Sequence, residues 1–474
     1  MKKDPPMRYA PLESLRPTLL MLALALLAST QVLAADTRPN IVVLLADDLG
    51  YGDVGFHGSS IRTPNLDQLA ATGVTLERYY VAPMCSPTRA GLMTGRYPIR
   101  FGMMRSVVPP YRDFGLDPAE VTIADMLATA GYEHRAVIGK WHLGHRRTKW
   151  LPGSQGFTHA VGCYNGAIDY FTHQRDGQLD WHRNGQPDLT EGYVTDMVGD
   201  AAVEFIEGVP LSEPYLLYVP FTAPHSPFQA KDEDLAKYPK LKGKQKTYAA
   251  MVDSLDQAIG RILTAIDERG DAENTFVLFS SDNGGVASVG SNGPLKGHKL
   301  TPYEGGVRVA AAARWPQGQV VGGRTIEQPM GYLDVFPTLM QVAEVSETPG
   351  HPLDGVGMLP TLQGDTTPVE RPWYTYMDQN GGRRQHVAVH HGPWKLVGHR
   401  PAPDAAQGKT VYELYRLADD PNETTDVAEQ HPEVVEQLKE SLERFFSWQA
   451  AQQVPRYDEG RDELPPLENW TPRE

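Results

Sequence analysis

The chain has 474 residues, 41% hydrophobic and 22% charged, with a formal net charge of −15 and two cysteines. That length suffices for one large α/β domain plus a smaller one, or for two or three ordinary domains, and the composition excludes wholesale disorder. The acidic balance argues against a nucleic-acid binder, which leaves a basic footprint, but not against a small anionic substrate in a local cationic pocket.

Residues 1–35 read as a cleavable signal peptide. Lys2, Lys3, Arg8 and Arg16 precede an apolar run, Leu19 to Ala28, and small residues follow at Val32, Leu33, Ala34 and Ala35. That order is a charged region, an apolar core and a cleavage site. The run is shorter than the roughly 20 residues of a membrane span, and no cysteine follows it to carry a lipid. The mature chain is expected to begin near Ala35 or Asp36, in the periplasm or secreted.

Asn40 to Asp48, NIVVLLADD, has the continuous apolar run of a strand buried on both faces of a parallel sheet. Asp47 and Asp48 then stand at its carboxyl end, where open α/β sheets bind ligands; a solvated turn is the plainer alternative. Thr63 and Pro64 open a short helix closed by Gly73, and Val74 to Val81 is strand-like. Cys85 follows, just before a helical run from Thr88 to Thr94. A thiol at a helix start is a candidate low-pKa nucleophile; on this position alone, a buried structural cysteine or half of a disulfide with Cys163 is the plainer reading.

Glu120 to Ala130 predicts an amphipathic helix, and His134 to Ile138 a strand leading to Lys140 and His142, which face the same way if the segment stays extended. Residues 151–192 are rich in Gly, Asn, Asp, His and aromatics. They predict surface loops with a hairpin across Gly177. Tyr215 to Phe221 is a strand followed by His225. Gln245 to Gly270 is a long helix with Met251, Leu255, Ile259 and Ile262 on its inner face. Thr275 to Ser280 is a strand ending in Asp282 and Asn283. The alternation predicts a large, mostly parallel sheet sandwiched by helices. Beyond a Pro/Gly/Thr-rich connection, four short strands between Trp373 and Arg416 and a helix from Glu433 to Ala450 predict a smaller antiparallel sheet plus helix. The expected domains are 36–345 and 346–474.

Asp47, Asp48, Asp282 and Asn283 supply three carboxylates and an amide, the hard oxygen set of Ca²⁺ or Mg²⁺. Arg89, Lys140, His142, His225 and Lys299 are the cationic and acid–base candidates. They suit charge stabilisation on an anion and proton transfer to a leaving oxygen.

Six segments in order, NIVVLLADDLGYGD, CSPTRAGLMTGR, GKWHLG, TAPHSPF, SSDNGG and KLTPYEGGVR, resemble the type I sulfatases of the alkaline-phosphatase-like superfamily. The spacing around GKWHLGHRRTKWLPGSQGF and GCYNGAIDYFTH is most similar to the arylsulfatase B branch (N-acetylgalactosamine-4-sulfatase). The resemblance implies one Ca²⁺ per chain on Asp47, Asp48, Asp282 and Asn283. It also implies that a formylglycine-generating enzyme converts Cys85 to formylglycine (3-oxoalanine), whose hydrate is the nucleophile and touches the metal. Arg89 would hold that hydrate, Lys140 and Lys299 would contact the sulfate, His142 would assist turnover, and His225 with Lys299 would serve the leaving oxygen. Lys296 stands where relatives often have arginine. The implied activity is hydrolysis of aryl sulfates or sulfated sugars and polysaccharides; on that reading Asp169, His173, Trp181 and His182 of the 151–192 loops are sugar-contact candidates, with ordinary loop packing the plainer role of each. A phosphodiester or phosphonate monoester hydrolase of the same superfamily is the alternative, and a non-catalytic carbohydrate-binding protein the third.

Overall fold

The computed structural model describes residues 1–7, 38–347, 350–379, 385–399, 410–461 and 463–474. The apolar run and cleavage region of the expected signal peptide lie outside these. Residues 1–7, without helix or strand, belong to a unit of their own, Met1–Thr37; everything below lies within the second unit, Arg38–Glu474.

A ten-stranded sheet organises that unit. Its order is Arg324–Ile326, Val74–Leu76, Ala311–Arg314, Thr275–Ser281, Asn40–Ala46, Tyr215–Pro220, His134–Lys140, His159–Cys163, His182–Arg183, Gln186–Pro187. The five strands from Thr275–Ser281 to His159–Cys163 run parallel. Antiparallel pairs flank them on both sides, and the outermost pair, Arg324–Ile326 with Val74–Leu76, is parallel again, so the sheet is mixed around a parallel core. The flanking strands are short, and the last two form a hairpin that needs no helical crossover.

The apolar run of Asn40–Ala46 is continuous because both faces are covered. Ile41, Val43 and Leu45 pack with Ala90, Leu92 and Met93 of the Cys85–Thr94 helix. Val42, Leu44 and Ala46 pack with Met251, Leu255 and Ile259 of the Gly243–Arg269 helix. That long helix ends at Gly270 in a left-handed cap, φ 84°, a conformation glycine adopts without penalty.

Three expectations shift. Val74 to Val81 is not one strand: a turn at Glu77–Arg78 sends Val74–Leu76 to the large sheet and Tyr79–Tyr80 to a three-stranded one. The predicted 120–130 helix is Ile123–Thr129, because Thr122 caps it, with the Asp125 carboxylate reaching back to the Thr122 N–H. The 151–192 stretch contains a fifth parallel strand, His159–Cys163, besides the hairpin across Gly177.

The smaller sheet is antiparallel, Trp373–Asp378, Gln385–His391, Trp394–His399, Val411–Arg416. The Pro432–Phe446 helix packs on it, with the Phe445 ring stacked on Tyr374 at 4.6 Å between centroids. Among the described residues no helix is long and apolar enough to cross a membrane.

Candidate active site

The register of two neighbouring strands builds the centre. Ala46 pairs with Ser281, so the next residues, Asp47–Asp48 and Asp282–Asn283, emerge side by side at the carboxyl edge. Backbone bonds lock them: Asp282 N–H donates to Ala46 O at 3.0 Å, and Asp47 N–H to Ala223 O at 3.0 Å. Asp48 turns away in the left-handed region, φ 68°, and its N–H donates to Asp282 Oδ1 at 3.3 Å. All four side chains are buried. The solvated-turn alternative is therefore excluded.

Three buried carboxylates require compensation. Arg89 donates through Nε and Nη2 to Asp282 Oδ2 at 3.1 and 2.8 Å, and its Nη2 lies 3.4 Å from Asp47 Oδ2. Lys140, the last residue of its strand, places its ammonium directly on Asp47 Oδ2. Lys299 reaches Asp48 Oδ1 at 2.5 Å. Three cations thus meet three carboxylates. Burial alone would raise the Asp48 carboxyl, but the charges of Lys299 and His225 outweigh it and hold it well below the usual carboxylate range. For Asp282, burial and the charge of Asp47 prevail, and its carboxyl is pushed up to about 6.

Asn283 donates through Nδ2 to Asp48 Oδ1 at 2.8 Å, while its own Oδ1 is buried with no hydrogen-bond partner. An orphaned amide oxygen beside carboxylates fits a hard cation, which has use for such an acceptor. Ligand atoms of Asp47, Asp48, Cys85 and His225 also lie within 4.8 Å of one another. The donor set therefore suits an oxygen-seeking metal.

Cys85 is the first residue of its helix, fully enclosed, with Sγ 3.7 Å from Asp47 Oδ1 and 3.6 Å from Lys299 Nζ. Both cysteines are free, so the disulfide alternative falls. Burial pushes the Cys85 thiol up to about 12 against the pull of Lys140 and Lys299. The thiolate reading loses support: with these side chains alone, burial outweighs the two ammonium groups.

His225 Nε2 lies 3.6 Å from Asp48 Oδ2, and burial pushes its imidazole down to about 3. His142 lies past the strand end with φ 56°, so the alternation with Lys140 stops there. Its Nε2 faces Val108 O at 3.2 Å, and Nδ1 has no partner. Gly166 packs against that ring: a Cβ there would stand 2.4 Å from His142 Nε2. Lys296 points elsewhere. Its ammonium donates to Tyr415 Oη at 2.7 Å and sits over the rings of Tyr303 and Tyr415, so it ties its loop to the smaller sheet.

Above the cluster opens a cavity of about 640 Å³ onto which Cys85, His142, His225 and Lys299 converge. The sugar-contact candidates are not there. The Asp169 carboxylate accepts from the N–H groups of Phe171 and Thr172 and from Gln229. His173 holds Gly192 O, Trp181 is core, and His182 stacks on Tyr164. Arg175, Gln379 and Tyr457 line the cavity instead. The hairpin signal at Asp176–Gly177 was the only local clue to any of them.

Fold and site define an α/β protein with a buried carboxylate–amide cluster, ringed by cations, beneath one cavity. The sulfatase family model matches residues 39–345, and that of the N-sulphoglucosamine sulphohydrolase C-terminal region matches 298–447. The chain belongs to the sulfatase family and is a sulfuric ester hydrolase. It is 34% identical to human arylsulfatase A over 88% of this chain and 89% of that one. With mouse arylsulfatase J it shares 32% over 87% and 76%, and with human N-acetylgalactosamine-6-sulfatase 34% over 72% and 69%. The crystal structure of Ps i-CgsB in complex with k-i-k-neocarrahexaose superposes with a TM-score of 0.80 at 31% identity, over 88% of this chain and 95% of that one. A phosphonate monoester hydrolase of Agrobacterium radiobacter, at 19% identity and a TM-score of 0.61, shares the fold alone.

Proposed function

We propose that the chain removes sulfate from sulfated sugars or polysaccharides, and from aryl sulfates as simpler substrates, after Cys85 has been converted to formylglycine by a formylglycine-generating enzyme. The observation that carries this is the Cys85 side chain enclosed among Asp47, Lys299 and the orphaned-amide cluster. Burial disfavours the thiolate of the unconverted side chain. A hydrated aldehyde would supply one hydroxyl to attack sulfur and a second whose deprotonation releases sulfate and restores the aldehyde. Asp47, Asp48, Asp282 and Asn283 would hold a divalent cation, Ca²⁺ by the hardness of the donors, and that ion would supply positive charge against the developing sulfate oxygens.

The chain's own residues then divide the work. With Arg89, Lys140 and Lys299 already balancing the three carboxylates, a divalent ion leaves the pocket with net positive charge for an anion. Arg89, fixed by Asp282 and by Lys140 O at 2.9 Å, orients residue 85 and the carboxylates together. Lys140 and Lys299 bind sulfate oxygens, His142 serves the hydroxyl that is deprotonated, and His225 with Lys299 faces the leaving oxygen. We further propose export to the periplasm or beyond by residues 1–35, a catalytic domain over 36–345 and a smaller subdomain over 346–474.

The test is sulfate release from an aryl sulfate by protein co-produced with a formylglycine-generating enzyme. Activity that survives in Cys85→Ala would sink the mechanism. Matched sulfate and phosphonate esters, compared by kcat/KM, should favour the sulfate.

A further inference from the structure

The floor of the cavity is accounted for by the sulfatase chemistry; its wall is not. Arg175 lines that wall, on the hairpin Gln174–Arg175/Gln178–Leu179. The turn between them, Asp176–Gly177, has φ 50° and 77°, a tight two-residue connection of the kind that fixes a hairpin. The C-terminal segment pins it further. Trp470 Nε1 donates to Arg175 O at 2.9 Å, and Asn469 N–H to Gln178 Oε1 at 3.1 Å.

The backbone at Arg175 is thus held, while the guanidinium has little to do. Among the described residues its side chain donates no hydrogen bond to protein; Nε is buried and unpartnered. Its ionic partner is the exposed Asp176 carboxylate, 3.6 Å from Nε, an ion pair without a hydrogen bond of the kind that solvent screens. A rigidly mounted guanidinium with its donor fork unfilled is a ready receptor for a carboxylate or sulfate.

The cleft also continues past the reaction centre. Arg175, Pro110 and Tyr457 line both the 640 Å³ cavity and an adjoining one of about 440 Å³, whose far side carries Arg461 and Tyr111. Among the described residues, that second lobe is lined by two guanidiniums and the carboxylate of Asp176, in a protein of net charge −15. Tyr457 offers an aromatic face at the junction, and the Gln379 side chain lines the first lobe.

We infer that Arg175 binds a second anionic group, a sulfate or carboxylate on the sugar unit next to the one being desulfated, so that the preferred substrate is an anionic oligosaccharide. This rests on the sulfatase reading above. Arg175 sets specificity and takes no part in bond cleavage.

The experiment uses matured full-length protein and three probes: a disulfated disaccharide, a monosulfated disaccharide bearing a uronate, and a neutral aryl sulfate. For Arg175→Gln, the ratio of kcat/KM on an oligosaccharide to kcat/KM on the aryl sulfate should fall by about 10–100-fold, the range that a hydrogen bond to a charged group supplies. Arg175→Lys should fall between. Which disaccharide shows the loss identifies the anion as sulfate or carboxylate. A ratio unchanged on both overturns the inference. Calorimetric binding of the disulfated disaccharide to unmatured protein separates the two hypotheses. Were wild-type protein to release no sulfate yet lose about tenfold in affinity on Arg175→Gln, the sulfatase reading would fail and the anion site would stand. Binding indifferent to Arg175 would remove the site as well.

Discussion

Asn283 gives its amide N–H to Asp48 Oδ1 at 2.8 Å and leaves its own Oδ1 buried without a partner. An acceptor left so costs stability unless something fills it. Ca²⁺ should therefore raise Tm in a concentration-dependent way, by about 2.7 kcal/mol of stability at 100 times Kd, and EDTA should reverse it. Asn283→Leu should weaken that thermal response by about 10–100-fold in Ca²⁺ concentration. A melting curve indifferent to Ca²⁺ and EDTA would count against the metal site.

Arg89 makes the matching prediction on the cationic side. Its guanidinium is fully buried against Asp282 and Asp47. Arg89→Ala leaves those carboxylates without it, a loss of roughly 3–5 kcal/mol for a buried pair broken on one side. Arg89→Lys cannot reproduce the donation of Nε and Nη2 to one oxygen while Nη1 holds Lys140 O. Urea unfolding should rank wild type above Lys and Lys above Ala.

How far these groups were visible from sequence depended on their range. Asn40–Ala46 and Thr275–Ser281 are apolar throughout because both sheet faces are covered, and their polar ends marked the cluster. His159–Cys163 was not visible. Its HAVGC run is short, and its place depends on Gly162 packing so close that a Cβ would lie 1.9 Å from Gly139 O. Arg175 was hidden for another reason: its carbonyl is held by Trp470, 295 residues away. The apolar period carries no information on contacts of that kind.

The two cysteines give a count that reports maturation. Both are free and buried, and Cys163 Sγ approaches Asn165 O at 3.8 Å and Thr222 Oγ1 at 4.0 Å. Denatured, unconverted protein should titrate two thiols with Ellman's reagent, and fully converted protein one. Two thiols in a preparation that is fully active would contradict the assignment of Cys85.

Lys395 joins the smaller sheet to the Glu304–Val307 helix, lying 2.7 Å from Glu304 Oε1 and 3.0 Å from Glu423 Oε1, with all three side chains buried. Burial raises the Glu423 carboxyl to about 7 from 4.5, despite Lys395. A folded value above the unfolded one gives stability that is full below pH 4.5 and lost as pH rises through 7. Glu304 is shifted the other way: its burial is outweighed by Lys395, so its contribution is present above pH 4.5 and lost as pH falls. Between pH 4.5 and 7 Glu423 is the member of this trio whose protonation changes, and its contribution declines across that window, against the opposite sign of the depressed buried histidines His145, His225 and His390. The Tm difference between wild type and Glu423→Gln, measured against pH, isolates it; wild type should lose ground to the variant as pH rises from 4.5 to 7.

Gly166 sits where a side chain cannot. A Cβ would lie 2.4 Å from His142 Nε2, and that ring is enclosed, with the same nitrogen facing Val108 O at 3.2 Å. Gly166→Ala must therefore displace the imidazole. The glycine lies in a loop, outside helix and strand, so fold stability should change little. Misplacement of a reacting group by about 1 Å costs on the order of 100-fold in rate, and His142 faces the cavity that holds Cys85. The expected result is a fall in kcat of that order on an aryl sulfate with Tm nearly unchanged. If Gly166→Ala instead lowers Tm and leaves kcat intact, His142 is a packing residue and its place in the sulfate-release step is lost.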